Sequence, residues 1–142
     1  MNDDPHPARC AELLTFDDSA QSVTVNVTWD NPTVMGEERY YTAEIVLQSA
    51  FVSGRVGLQV SLADLDEWGQ CLDSLEADNG VQWPAGDRGA WLEVVPDDPV
   101  EVTVCDSPST QISVCVPIDV AFDWLEKNRL KWDAARRAVE SG

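Results

Sequence analysis

Val23, Val25, Val27 and Trp29 occupy alternate positions, with Thr24, Asn26 and Thr28 between them. A period of two gives a strand one dry face and one wet face. The pattern recurs at Ala43, Ile45 and Leu47, at Val56, Leu58 and Val60, at Trp91 to Val95, at Val100, Val102 and Val104, and at Ile112, Val114 and Val116. With Glu12 to Phe16 it predicts six or seven strands. Turn chemistry separates them at Asp30-Asn31-Pro32, Asp78-Asn79-Gly80, Pro84-Ala85-Gly86-Asp87, Pro96-Asp97-Asp98-Pro99 and Asp106-Ser107-Pro108-Ser109. Short turns favour antiparallel pairing.

Two segments change period. Ser61 with Asp64 three positions on is the pattern of a capping box, and Leu62, Leu65, Trp68, Leu72 and Leu75 follow at helical spacing as far as Asn79-Gly80. A second helix is predicted from about Pro117 to Asp119 to the C-terminus. Ala121, Leu125, Trp132, Ala135 and Val139 form its stripe, Asp119 and Asp123 lie at its start, and Arg136 and Arg137 lie at its end. Asn128 falls on that apolar stripe, either as a satisfied core amide or as a sign that the helix does not lie flat. The expected fold is α+β: a single two-layer domain over residues 12–142, with a six- to seven-stranded, mostly antiparallel sheet and two amphipathic helices on one face. Residues 1–11 read as a tail.

Charge narrows the functional classes. The 142 residues carry 26 Asp and Glu against 9 Lys and Arg, a net charge of −17. Such a chain is repelled by phosphate backbones and by anionic membrane, which argues against both as partners. The apolar runs are strand-sized, short of the roughly 20 residues of a membrane span, and no signal-peptide core follows the N-terminus, so a cytoplasmic location is expected. After residue 126, five basic residues face two acidic ones, and subtracting that +3 from −17 leaves −20 on residues 1–126. An acidic body steers basic partners toward it, whereas the plain account is solubility with the helix lying across its own body.

Catalytic chemistry finds little support. The single histidine, His6, sits in the tail, which leaves Ser-His, Cys-His and His-metal schemes without an imidazole in the domain. Phe51 to Arg55 lacks the first glycine of a nucleophile elbow and reads as a bulge. Asp78-Asn79-Gly80 is similar to the start of a calcium loop but lacks its ligand spacing. Cys10, Cys71, Cys105 and Cys115 form no C-x-x-C pair, so no metal or cofactor is assigned. Cys105 and Cys115 share the polar side, and a turn near residues 107 to 108 would put them out of register for a disulfide. Candidate partner-binding residues are Glu44 and Glu101 on the wet strand faces, Asp64, Asp66 and Glu67 on the first helix, and Trp83 and Trp91 if exposed.

The run Thr42 to Val56 (TAEIVLQSAFVSGRV), then Leu62 to Trp68 (LADLDEW), Asp106 to Pro117 (DSPSTQISVCVP) and the Trp-bearing last helix resemble a family of small acidic actinomycete proteins of unknown function. That family is similar in pattern to small immunity proteins of bacterial toxin systems. The resemblance implies a non-enzymatic module that binds a basic protein, such as a toxin. Two alternatives stand beside it: a carboxylate-based enzyme or small-molecule-binding domain, and a homo-oligomer in which the basic helix of one copy meets the acidic body of another.

Overall fold

The structure, a computed structural model, describes residues 10–85, 89–107 and 109–141. The fold is α+β with antiparallel strands, as the alternation predicts, but nine strands are divided between two sheets. The first sheet holds β1 (Cys10–Asp17), β2 (Ser22–Thr28), β3 (Thr33–Met35), β4 (Glu38–Gln48) and β5 (Ser53–Ser61). After α1 (Leu62–Glu76), the second sheet runs in sequence through β6 (Val81–Trp83), β7 (Trp91–Val95), β8 (Val100–Asp106) and β9 (Ile112–Ile118), and α2 (Trp124–Ser141) closes the chain. The expected tail falls mostly outside the described residues, and β1 begins pairing at Cys10 opposite Thr28.

Tyr40 is paired on both sides, with Thr33 of β3 and with Ser61 of β5. β3 therefore continues the line of β2 along one edge of β4, and β5 takes the other. The break between β2 and β3 is the Asp30-Asn31-Pro32 turn, where Asn31 adopts φ 55° and the proline has no N–H to give a ladder. Each sheet is thus a meander followed by a helix, twice along the chain. Period-2 alternation predicts strands but not which strands share a sheet. The fifteen residues of α1 span about 22 Å, and β6 then pairs with β7 rather than returning to β5.

α1 starts as its sequence predicts. Ser61 Oγ accepts from Asp64 N, and Asp64 Oδ2 accepts from Ser61 N at 2.9 Å, a complete capping box. Its end comes earlier than Asn79-Gly80: Asp78, at φ 70°, is the left-handed residue, with Asp78 N donating to Leu75 O and Asn79 N to Ser74 O. α2 starts at Trp124, not near Pro117 to Asp119, because Ile118 and Pro117 are still paired with Val100 and Glu101. Because α2 runs on to Ser141, Arg136 and Arg137 precede its last turn, which holds no basic residue.

The dry faces meet in one core. Val23, Val25, Val27, Ile45 and Leu47 of the first sheet and Leu92, Val94, Val102, Val116 and Ile118 of the second are buried in it with Leu65, Trp68 and Leu72 of α1. The helices touch at Gly69, where a Cβ would lie 2.5 Å from Trp132 Cζ2. Glycine is required there by that close approach. Trp132 Nε1 donates to Leu65 O at 2.8 Å and fixes the ring. Asn128, 1% exposed, is a satisfied core amide. Its Oδ1 accepts from Thr15 N at 2.8 Å and its Nδ2 donates to Thr15 O and Trp124 O, both at 3.0 Å.

Candidate binding surface

α2 carries most of the basic charge, and the fold spends it internally. Arg129 Nη2 lies 2.7 Å from both Asp73 and Glu76 of α1, Arg136 pairs with Asp66, Lys131 with Glu12 at 3.1 Å, and Lys127 with Asp123 at 3.7 Å. The Asp73 carboxylate, and Glu76 beside it, hold the Arg129 guanidinium firmly protonated. The Thr15 hydroxyl, aided by Lys131, keeps the Glu12 carboxyl below its ordinary pKa. Partly exposed pairs of this kind are each worth under about 1 kcal/mol, but together they place the basic helix on its own acidic neighbours.

The candidate residues from the sequence do not converge. Asp64 is buried in the capping box, Asp66 belongs to Arg136, and Glu67 Oε1 accepts from Ala85 N at 2.9 Å. Trp83 is fully buried, with Nε1 donating to Asp64 O at 2.7 Å and its ring 5.5 Å from Trp68. A tryptophan before proline in a loop sequence gave no sign of β6, which carries it inward. Glu44 stands on the wet face of β4 with Arg55 at 3.4 Å. Trp91, half-buried, and Glu101, exposed, sit at opposite ends of the β7–β8 ladder, opposite Cys105 and Val95. Cys105 faces Ser113 and Cys115 faces Thr103, so the two thiols are two positions out of register, and all four cysteines are free. Among the described residues, no three His, Cys, Asp or Glu gather as a metal site would need.

Two adjoining clefts lie alongside β5. One cleft of about 250 Å³ is lined by Ile45, Leu47, Val52, Val56, Val104 and Val114, with Gly54, Arg55, Asp106, Thr110 and Ile112 around them. A second, of about 400 Å³, continues past Gly57, Leu58 and Gln59 of β5 to Pro84, Ala85, Gly89 and Ala90. Asp106 belongs to both. The β8–β9 end of the second sheet stands over the dry side of β4 and β5 without filling the space between them. Phe51, 94% exposed, projects beside the first cleft in the β4–β5 turn, and Ile112 is exposed on its far wall. Gly54 lies on the dry parity of β5, opposite Leu47, and a Cβ there would meet nothing within 4 Å. The bulge expected within Phe51 to Arg55 does not form: β4 and β5 pair without a register shift from Gln48↔Ser53 to Tyr40↔Ser61. The signal available in the sequence was the glycine itself, since an interior strand glycine often marks a place where another backbone comes close.

A model of a family of unknown function, DUF5959, matches residues 11–140, and the chain belongs to that family. No curated protein matches it. Among solved structures it is similar to the plant transcriptional regulator PBF-2, with a TM-score of 0.58 at 9% identity, over 95% of this chain and 85% of that one. At that identity the likeness concerns the fold.

Proposed function

We propose that the protein is a non-enzymatic binding module that captures a basic protein through its acidic surface, in the manner of an immunity or inhibitor protein acting on a toxin. The observation that carries this reading is the internal use of positive charge. With Lys127, Arg129, Lys131 and Arg136 engaged by the chain's own carboxylates, the described residues 10–123 hold only two cations, Arg39 and Arg55. A net charge of −17 is therefore presented chiefly by the strand surfaces and their turns, and complementary charge accelerates encounter with a basic partner. A homo-oligomer built on the basic helix loses its motive, because that helix already lies against carboxylates of its own chain. No helix is long and apolar enough to cross a membrane. The test is co-purification with the products of neighbouring genes. A stoichiometric complex that forms at about 0.1 M salt, where charges beyond about 10 Å are screened, and weakens as salt rises supports the proposal. Absence of any basic partner under those conditions refutes it.

A further inference from the structure

The five strands among the described residues that are paired along one side only, β1, β3, β5, β6 and β9, are not treated alike. β1 is interrupted by a bulge between Glu12 and Leu14, and its Thr15 backbone is bonded to Asn128. β3 and β6 have three residues each, and β6 packs against α1. β9 carries Pro117, whose carbonyl accepts from Gln21 Nε2 at 2.7 Å. Bulges, short strands, prolines and covering elements are the devices that prevent an edge from recruiting another strand. Of these devices β5 has only a contact with α1, which follows it directly after Ser61. The strand is nine residues long, free of proline and of register shifts, and paired along one side only, with β4.

We infer that β5 is the docking edge for an extended segment of the basic partner, which adds to the first sheet as a further strand. This inference rests on the binding role proposed above and assigns it a place. Strand addition takes its affinity from backbone hydrogen bonds and its selectivity from pockets that accept alternate side chains. Both elements are present. The apolar cleft of about 250 Å³ between Ile45, Leu47, Val56, Val104 and Val114 has room for an aliphatic or aromatic side chain on the dry parity of an added strand. Side chains of the opposite parity would project on the wet face beside Arg55 of β5, whose charge Glu44 already pairs, and Asp106 marks the junction of the two clefts. The apolar cleft and the net charge of −17 on the chain together make the occupant a segment that alternates apolar residues with Lys or Arg. A second copy of this chain is disfavoured, since it would bring another −17 against the first.

Gly54 supplies a clean variant. Its φ is not in the left-handed region and a Cβ there meets open space, so Gly54→Leu fills the cleft without strain in the free protein. The probe is a nine-residue peptide of alternating Val and Lys, followed by amide NMR and hydrogen exchange on the full chain, with a Val and Glu peptide as control. The expected result is movement and protection of the amides of residues 53–59 by the Lys peptide, and at least about tenfold weaker binding to Gly54→Leu, with its melting temperature undiminished. Binding that leaves the β5 amides unprotected, or that Gly54→Leu does not weaken, overturns the docking edge and leaves the acidic-surface reading standing. Failure of the Lys peptide and of a basic protein such as lysozyme to bind at low salt overturns both. A concentration-dependent dimer with β5 protected in the absence of peptide overturns the occupant.

Discussion

Replacing Asn128 with Ala removes the three hydrogen bonds that its amide makes, two of them to the backbone of Thr15 in another element. Each is worth about 1 kcal/mol net, and the Thr15 N–H and C=O left behind add roughly 1–3 kcal/mol of desolvation where water does not reach them. Asn128 is 1% exposed and Thr15 half-buried, so partial rehydration limits the sum to about 3–5 kcal/mol. That is a large share of the roughly 5–15 kcal/mol that stabilises a domain. At about 3–4 °C per kcal/mol for a chain of this size, the melting temperature should fall by about 10–20 °C. Asn128→Leu is the decisive companion. It restores volume but not the hydrogen bonds, so it should lose nearly as much as Ala, and the Thr15 amide should exchange faster in both. A melting temperature within about 2 °C of wild type for Ala, or full rescue by Leu, would show that Asn128 acts as filler and not as the cap of the β1 edge.

Three further outcomes follow from the packing and the titrating groups. Gly69→Ala should destabilise by about 1–2 kcal/mol in urea, because overlap with the fixed Trp132 ring outweighs the roughly 1 kcal/mol that Ala gains inside a helix. In a Trp132→Ala background the sign should reverse, and stabilisation in the wild-type background would refute the contact. Backbone N–H groups of Asp119, then Ala20 and Gln21, hold the Asp18 carboxyl below its ordinary 3.8. A depressed carboxylate contributes stability above its unfolded pKa and loses it as pH falls through the folded value, so Asp18→Asn should lower stability at pH 7, with the difference from wild type shrinking as pH falls below 3.8. Parallel pH curves would contradict that linkage. Burial, with Glu67 adding to it, pushes the Cys71 thiol up to about 12. Maleimide at pH 8 should therefore modify exposed Cys10 and Cys115 while Cys71 reacts only on unfolding.

Local patterns were legible wherever one residue's neighbours in sequence decide its environment. The alternation from Val23 to Thr28 and the Ser61–Asp64 box both carry their own physics, and both strand and helix form where expected. What was hidden depends on distant partners. Trp83 is inside because β7 pairs with it at Leu92 and α1 offers the Asp64 carbonyl, neither of which its own surroundings announce. The start of α2 was misplaced for a similar reason: Ala121 and Asp119 satisfy a helical pattern, but Pro117 and Ile118 are claimed by β8. The cleft beside β5 was invisible because an empty volume has no residue type. Gly54 pointed to it only through the lack of a side chain.

The acidic surplus acquires a different meaning once the ion pairs are placed. In the sequence, −20 beside +3 describes two surfaces, either of which could seek the other in a second copy. In the fold, the basic helix lies on Asp66, Asp73, Glu76 and Glu12, and the excess of carboxylates remains on strands and turns that hold Arg39 and Arg55 as their described cations. A field spread over so much surface raises the rate at which basic proteins arrive, but it does not choose among faces, since candidate carboxylates such as Glu44 and Glu101 lie on different sheets. Choice requires geometry that the rest of the surface lacks. The other edges are bulged, shortened or interrupted by proline, while β5 pairs without a register shift, is unpaired on one side and is bordered by an apolar cleft. On the proposed reading, charge would govern how fast a partner is met, and the edge of β5 which segment of it stays. Raising salt should slow association with little change in dissociation, whereas Gly54→Leu should do the reverse.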